Sequence, residues 1–315
     1  GIPNGDSYED ECGQCDNDPG NDGDCDEDGL VGCESGGTAA GPIECWGSNS
    51  DYQVSNTPEG TFTDVSAGGK HNCALDLSGS IVCWGRNSNN QLSDAPEGSF
   101  TDVSAGSDHN CTLDASGLIT CWGYNYYEQS NPPNGTFTDV EAGGSHNCAL
   151  DASGSIVCWG QDTYDQSSSP DGTFTDITGG FYHSCAIDAS GYISCWGRNS
   201  NNQISDTPDG TFTDVEAGGF HNCALDASGF ITCWGSNSHG QVSDAPDGTF
   251  TDVGAGRYHN CALDASGSIV CWGSNDNGLV SDAPDGTFTD VDAGRYHSCA
   301  IEGEGSRDVA CDSDD

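Results

Sequence analysis

The chain has 315 residues, with 51 Asp and Glu against 6 Lys and Arg, and a formal net charge of −45 at pH 7. So acidic a surface repels phosphate backbones and anionic lipids, which argues against nucleic acid and membrane surfaces as partners and favours cations such as Ca²⁺. No apolar run is long enough to span a bilayer, so we expect no membrane insertion.

Cysteine usage indicates where the protein works. The chain contains 19 cysteines, which is typical of an oxidising compartment. It contains no Met, so we expect that Gly1 is not the translational start and that a leader has been removed. Together these features predict a secreted or cell-surface protein.

Residues 1–33 form an acidic segment punctuated by cysteines. Asp24, Asp26 and Asp28, followed by Gly29, match the start of a calcium loop, in which alternate carboxylates converge on one ion. The segment resembles the acidic, Cys-rich calcium repeats of thrombospondin type and similar bacterial spacers. It lacks the closing Glu of an EF-hand, and the alternative is a solvated acidic linker. We predict a structural calcium cofactor, with candidate ligands Asp16, Asp18, Asp22, Asp24, Asp26 and Asp28.

From residue 43 onward, one unit recurs seven times. Cys-Trp-Gly occurs seven times at spacings of 37 or 38 residues, from Trp46 to Trp272. Phe-Thr-Asp-Val/Ile and His-Asn/Ser-Cys also occur seven times each, beginning at Phe62 and His71. Three signals with the same copy number indicate one supersecondary unit per repeat.

Each unit reads as three antiparallel strands. In the first complete repeat these are 62–67, 71–76 and 80–84, with Gly68-Gly69 breaking the chain between the first two. Asp76-Leu77-Ser78-Gly79 has turn chemistry, with Asp opening the turn and Gly accepting positive φ. Apolar residues fall on both faces of the hairpin, as expected for a blade packed between two neighbours.

Six pairs of cysteines lie ten residues apart and symmetric about that turn, at disulfide reach across the hairpin. They are Cys73–Cys83, Cys111–Cys121, Cys148–Cys158, Cys185–Cys195, Cys223–Cys233 and Cys261–Cys271.

The motif Trp-Gly-x-Asn-x-x-x-Gln at 84–91, followed by Ala-Gly-x-x-His-x-Cys-x-Leu at 105–113, resembles the regulator-of-chromosome-condensation repeat. The short cysteine-bearing form is similar to repeats of secreted bacterial proteins, including the seven-bladed β-lactamase inhibitor proteins. The resemblance covers roughly residues 43–302. It implies an all-β, seven-bladed β-propeller of mainly three-stranded blades, but not the exchange-factor role, since this chain is acidic and rich in disulfides.

The ends of the repeat array predict how the ring closes. The first repeat lacks its first two strands and the last lacks Cys-Trp-Gly, while Trp46 to Phe62 spans the same 16 residues as Trp84 to Phe100. Residues 44–47 therefore belong in the last blade, and Cys45 is expected to pair with Cys299. The rival pairing is Cys33–Cys45 with Cys299–Cys311. The predicted organisation is an irregular arm at 1–33, a propeller at 34–302 and an acidic tail at 303–315.

With Cys45 used in the ring, five cysteines remain. Because five is odd, one is free or bonds another chain. A zinc or redox role for Cys12-x-x-Cys15 is disfavoured, since residues 1–33 contain no His. The remaining cysteines are Cys12, Cys15, Cys25, Cys33 and Cys311.

No singular catalytic constellation stands out, because every attractive residue recurs seven times. The blade histidines, from His71 to His297, are interpreted as hydrogen-bonded structural residues. The recurrent aspartates, from Asp64 to Asp290, are interpreted as acceptors for backbone amides. We therefore predict that the protein is not an enzyme.

The positions that vary between blades are those after each Trp-Gly and before each blade His. Aromatic residues there suit contacts with protein or sugar, although surface drift would look similar. The candidate binding residues are Tyr52, Tyr124, Tyr126, Tyr127, Tyr164, Tyr182, Phe220, His239, Tyr258 and Tyr296.

Two functions fit this sequence. The first is a structural subunit of a filament, sheath or surface layer, in which copies of the chain associate through the calcium-stabilised arm. The alternative is a secreted binding module, an adhesin, lectin or protein inhibitor, whose Tyr-rich loops contact an extracellular protein or glycan. Fold cannot choose between them.

Overall fold

A computed structural model describes residues 40–303 of the protein. Twenty-one strands form seven antiparallel sheets of three strands each, and one short 3-10 helix spans Asp276–Gly278. Among these residues, none of the helical structure is long and apolar enough to cross a bilayer. The seven blades and the disulfides between their strands confirm the predicted fold.

The repeated sequence sets the strand bounds. First strands are β2 (Phe62–Ala67), β5 (Phe100–Ala105), β8 (Phe137–Ala142), β11 (Phe174–Gly179), β14 (Phe212–Ala217), β17 (Phe250–Ala255) and β20 (Phe288–Ala293). Middle strands are β3 (His71–Asp76), β6 (His109–Asp114), β9 (His146–Asp151), β12 (His183–Asp188), β15 (His221–Asp226), β18 (His259–Asp264) and β21 (His297–Glu302). Third strands are β4 (Ile81–Gly85), β7 (Ile119–Gly123), β10 (Ile156–Gly160), β13 (Ile193–Gly197), β16 (Ile231–Gly235), β19 (Ile269–Gly273) and β1 (Ile43–Gly47).

Blades 1 to 6 each take three consecutive strands, from β2–β4 through β17–β19. Their first strands contact those of both neighbouring blades, and β20 contacts β2, so the first strands line the centre of a closed ring. Each first strand carries a bulge after its opening Phe, as between Phe62 and Asp64. Bulges increase local twist, which suits the strongly twisted blades of a propeller.

Blade 7 joins the two ends of the described chain, in the strand order β1-β21-β20. Cys45 lies opposite Cys299 in this register, and the two form a disulfide. The structure therefore has the predicted closure, and it excludes the rival pairings of both cysteines. Six further disulfides link the middle and third strands of blades 1 to 6, at the predicted cysteine pairs.

The core consists of apolar layers between adjacent blades. Between blades 5 and 6, for example, Cys223 and Leu225 of one blade pack against Phe250, Val253 and Trp272 of the next. Burying a side chain such as Leu or Phe contributes about 1.5–3 kcal/mol, so each interface stabilises both of its blades.

The Trp-Gly-x-Asn-x-x-x-Gln motif ties each blade to the loop before it. Trp84 Nε1 and Asn72 Nδ2 each donate a 2.9 Å hydrogen bond to the main-chain oxygen of Gln53, which precedes blade 1. Gly85, at the end of β4, has φ +101°, and a Cβ there would lie 2.7 Å from the Lys70 oxygen. The motif residues therefore specify how the third strand leaves the blade.

Candidate binding face

The ring presents two different ends. At one end lie the loops between first and middle strands together with the segments that follow Trp-Gly. A 2.9 Å hydrogen bond from Arg86 N to Lys70 O joins one such segment to one such loop. We call this end the loop face. At the other end, the turn face, lie the tight turns between middle and third strands, such as Asp76–Gly79. All ten predicted binding residues belong to segments that begin at the loop face.

Five of the predicted aromatic residues and His239 converge there. Tyr182 lies 5.5 Å from Tyr164 and 6.5 Å from Phe220, measured between ring centroids. Phe220 lies 5.9 Å from Tyr258, which in turn lies 4.6 Å from His239. Because the repeat places residues 37–39 positions apart side by side, loops of blades 3 to 6 supply one continuous series of rings.

Three arginines are inserted into this series. Arg198 lies 5.4 Å from the Tyr182 ring centroid, and Arg257 lies 4.7 Å from that of Tyr258. Arg295 lies 4.9 Å from both the Phe181 and the Tyr296 ring centroids. Cations over ring faces are stabilised by the ring quadrupole. We call the whole set the aromatic–arginine patch: Tyr164, Phe181, Tyr182, Arg198, Phe220, His239, Arg257, Tyr258, Arg295 and Tyr296.

The positive charge of the described chain is confined to this end of the ring. All five Lys and Arg residues between 40 and 303 occupy loop positions at this end. Each lies one or two residues before a blade His or directly after Trp-Gly. Lys70 pairs with Asp51 at 2.7 Å and Arg86 pairs with Asp108 at 3.6 Å. Within the described residues, the three arginines of the patch form no ion pair.

The remaining predicted binding residues lie elsewhere on the loop face. Tyr126 is 75 % exposed and packs edge-on against Tyr127 at 4.9 Å, while stacking with Tyr124 at 6.4 Å. Tyr52 is 65 % exposed. The structure thus divides the predicted residues between the patch, a separate tyrosine cluster and Tyr52.

Sequence reasoning missed Phe181, Arg198, Arg257 and Arg295. A signal was available, because all the basic residues of the repeats fall in the same variable positions as the aromatic residues. Their stacking, however, depends on which blades are adjacent.

Below the loop face, the central channel is lined with carboxylates. The seven recurrent aspartates lie at the third position of the first strands, and Glu141, Glu216 and Asp292 lie two residues further along theirs. Asp64 accepts a hydrogen bond from Val103 N of the next blade at 3.3 Å. Asp252 accepts one from Val291 N at 3.2 Å. These bonds support the predicted role as inter-blade acceptors. Seven of these carboxylates bound a cavity of about 220 Å³: Asp64, Asp102, Glu141, Glu216, Asp252, Asp290 and Asp292.

Burial in the channel wall raises the pKa values of these carboxyl groups. It raises the pKa of Asp64 to about 6 and that of Asp176 to about 7, with neighbouring Asp214 and Asp139 also raising the latter. The pKa of Glu141 is held well above its usual range by burial, then by nearby carboxylates. The cause is the cost of placing like charges in a site that water reaches poorly.

The blade histidines form a closed ring of structural hydrogen bonds. His109 Nε2 lies 2.7 Å from Asn147 Oδ1 in the next blade, and Asn147 Nδ2 donates to Gln129 O at 2.8 Å. The amide oxygen is therefore the acceptor, and His109 donates through Nε2. The same contact joins His297 to Asn72 across the closure. Burial lowers the pKa of His109 to about 4, so its ring is neutral.

The predicted calcium ligands, Asp16 to Asp28, lie outside the described residues, as do Cys12, Cys15, Cys25, Cys33 and Cys311. Between residues 40 and 303, no group of three or more His, Cys, Asp or Glu side chains is placed to hold a metal ion. The calcium assignment therefore stays a prediction.

Comparison with known sequences identifies the repeat. The model of the regulator of chromosome condensation (RCC1) repeat matches residues 62–91, 100–129, 137–166, 174–203, 212–241 and 250–279, which together exceed half of the chain. The chain belongs to the RCC1 repeat family. Comparison with curated proteins gave no match.

Several solved structures share the architecture. The ectodomain of the Physcomitrella patens receptor kinase CR4 is 26 % identical with a TM-score of 0.66, over 78 % of this chain and 71 % of that one. The CRINKLY WD40 ectodomain of the Arabidopsis thaliana receptor kinase ACR4 is 26 % identical with a TM-score of 0.65, over 77 % and 94 %. Prp20p of Saccharomyces cerevisiae, 17 % identical with a TM-score of 0.73 over 86 % and 93 %, shares the fold.

Proposed function

We propose that this RCC1-repeat protein is an extracellular binding module that docks a protein partner on the aromatic–arginine patch. The observation that carries the proposal is the convergence of ten variable loop residues, from seven loop segments of blades 3 to 7, into one stacked surface. Invariant residues build the blades, whereas the patch is made of residues that differ from blade to blade.

The composition of the patch favours a protein partner. Tyr, Phe and Arg are enriched in protein interfaces, and Tyr and Arg dominate their binding energy. Rings held in place by stacking lose little conformational freedom on binding, which lowers the cost of association. The patch therefore combines suitable chemistry with preorganisation.

A glycan is less well matched to the same surface. Flat sugar faces need open aromatic faces, but guanidinium groups already lie over several rings of the patch. Arg257, for example, lies within 5.9 Å of the Phe220, Tyr258 and Tyr296 ring centroids.

Two observations support an extracellular setting. Seven disulfides link the strands of the ring, and such bonds persist in oxidising compartments. The receptor-kinase relatives that are 26 % identical are ectodomains. Binding is also favoured over catalysis because each blade histidine is buried and hydrogen-bonded to the next blade.

The assembly hypothesis depends on residues 1–33, outside the described part of the chain, and no contact of the ring favours it. We therefore place partner binding first and keep self-association as a prediction.

The experiment compares the two ends of the ring. The variant F220A/Y258A alters the patch, and Y192A/F230A removes two aromatic residues of 57 % and 54 % exposure from the turn face. Each protein is immobilised and exposed to the secreted proteins of the source organism. A partner identified by mass spectrometry is then purified and titrated.

We expect the patch variant to bind the purified partner at least tenfold more weakly, and the turn-face variant to bind it like the wild type. Loss of binding only in Y192A/F230A, or equal binding by all three proteins, would contradict the proposal. A glycan array probed with the same proteins tests the competing ligand class.

A further inference from the structure

The mouth of the channel on the loop face holds two arginines with unused hydrogen-bond donors. Arg257 and Arg295, together with Phe181 and the glycine loops of all seven blades, line a cavity of about 80 Å³. The Nε atoms of both arginines are buried, and neither has a hydrogen-bond partner among residues 40–303. A buried charged donor without an acceptor is costly, so this arrangement is suited to a group that supplies one.

Between residues 40 and 303, no carboxylate forms an ion pair with Arg257 or Arg295, although the chain is so acidic. Among the described residues, Lys70 and Arg86 have carboxylate partners, whereas Arg257 and Arg295 are held by ring faces. Arg257 Nη1 also donates to the Tyr296 hydroxyl at 2.6 Å. These contacts orient the guanidinium groups without neutralising them.

We propose that the two arginines receive a carboxylate of the bound protein, an Asp or Glu side chain that enters the channel mouth. The proposal rests on the proposed function and names the chemistry of the partner's central contact. A guanidinium presents a planar fork of donors that matches a carboxylate, and the bond strengthens where water is excluded. The cavity of about 80 Å³ has room for a carboxylate group.

The net charge of −45 does not prevent this contact. At physiological ionic strength, charges separated by more than about 8 Å are largely screened, whereas a desolvated contact is not. The negative charge of the rest of the chain is therefore only a weak obstacle to an acidic partner, and the partner is held at the mouth if its carboxylate reaches both arginines.

Arginine side-chain NMR tests the contact without knowledge of the partner. The intact chain has five arginines, so its Nε–Hε spectrum contains at most five signals. The probe is the blocked tripeptide Gly-Glu-Gly, and its neutral match is Gly-Gln-Gly at the same ionic strength. We expect saturable shifts of the Arg257 and Arg295 signals with the Glu peptide, at least a tenfold higher Kd with the Gln peptide, and no shift of Arg86.

Substitutions at the same end of the ring provide controls. R257Q is expected to raise the Kd read from the Arg295 signal at least tenfold, and R257K to give an intermediate value because it keeps the charge but loses the fork. R86Q, which breaks only the pair with Asp108, is expected to leave that Kd unchanged. Backbone amide spectra verify that each variant is folded.

Equal, non-saturating shifts of all five signals, or equal binding of both peptides, would overturn the proposal. Tighter binding of an oligogalacturonate than of the Glu peptide would assign the carboxylate to a glycan and overturn the choice of a protein.

Two further outcomes separate this inference from the proposed function. Partner binding that needs Phe220 and Tyr258 but not Arg257 would reject this inference alone. Glu-peptide binding without any effect of F220A/Y258A on a partner would reject only the proposed function.

Discussion

Each blade histidine contacts the neighbouring blade through Nε2, and this one contact explains why a buried polar side chain recurs in every repeat. The partner is an Asn amide oxygen in five blades and a Ser hydroxyl in the other two. The bond crosses an interface that otherwise consists of apolar side chains and disulfides. It fixes the angle between middle strands, because the amide that accepts it is itself held by the preceding loop. The Nδ1 atom of each of these rings is buried without a hydrogen-bond partner among the described residues, so the Nε2 contact is the ring's one hydrogen bond.

Substitution of such a histidine should therefore be costly. We expect H109A to lower the free energy of unfolding by about 2–4 kcal/mol, because it leaves a cavity and an unpaired amide oxygen on Asn147. The measurement is guanidinium denaturation with the disulfides intact. H239A, at an exposed position, serves as the control and is expected to change little. Equal stability of the two variants would show that the histidine ring is dispensable.

The channel carboxylates make a separate residue-scale prediction. The folded pKa of Asp176 is about 7 and its ordinary value is 3.8, so the folded state binds the proton more tightly. Stability from this group is fully present below pH 3.8 and is lost as the pH rises to 7. D176N removes that loss. Between pH 5 and pH 8, the free energy of unfolding should therefore change more favourably in D176N than in the wild type, by on the order of 1–3 kcal/mol.

Denaturation at pH 5 and pH 8 gives the comparison, and the buried histidines, common to both proteins, cancel in the difference. D151N is the matched control. Hydrogen bonds from Ser153 and Ser155 lower the pKa of Asp151, so its contribution to stability is lost only in acid and does not change between pH 5 and 8. An unchanged pH profile in D176N would mean that this carboxyl is well hydrated in the folded protein.

At the scale of elements, the blades differ in how they are held together. Blades 1 to 6 are each one continuous hairpin sequence with a disulfide spanning 10 residues. Blade 7 combines a strand from one end of the ring sequence with two from the other, and its disulfide spans 254 residues. The physical role of the bond therefore differs even though the cysteine pair is in the same register.

Because loop-closure entropy grows with loop length, C45A/C299A should destabilise the ring more than C111A/C121A. The chain-entropy model gives about 5 kcal/mol for the long loop and about 3 kcal/mol for the short one. Denaturation of both variants under non-reducing conditions measures the difference. Peptide mapping of the unreduced wild type should recover a Cys45–Cys299 peptide. Equal losses would indicate that residual structure in the unfolded chain already brings the two ends together.

At the scale of the whole molecule, the ring and the acidic arm are expected to depend on different forces. Apolar layers and seven disulfides hold the ring, whereas residues 1–33 contain the alternating carboxylates predicted to bind calcium. The channel carboxylates of the ring accept backbone amides and, within the described residues, form no metal site.

Chelation should therefore increase hydrogen exchange in residues 12–33 and leave exchange in the blades unchanged. Size-exclusion chromatography with and without millimolar calcium tests the linked prediction of self-association, and deletion of residues 1–33 is the control. A protein that stays monomeric in calcium, or that associates without the arm, would contradict the assembly hypothesis. Unchanged exchange in the arm after demonstrated removal of calcium would identify it as a solvated linker.

The repeated sequence was enough to predict the number of blades, the strands within them and the cysteine pairs. Three motifs recur seven times, and the hairpins, turns and short-span disulfides of six blades are local. The closure was also predictable. The spacing from Trp46 to Phe62 equals that from Trp84 to Phe100, which places the first strand of the chain in the last blade. The third strand of blade 1 lies one residue later than the predicted 80–84, from Ile81 to Gly85.

Which loop residues lie side by side could be read only from the closed ring. Arg257 and Arg295 meet Phe181 at the channel mouth because the ring brings together loops that lie far apart in sequence. The raised pKa values of the channel carboxyl groups likewise come from seven first strands facing one narrow space. Proximity and desolvation of this kind depend on the closed geometry of the ring, which no single repeat contains.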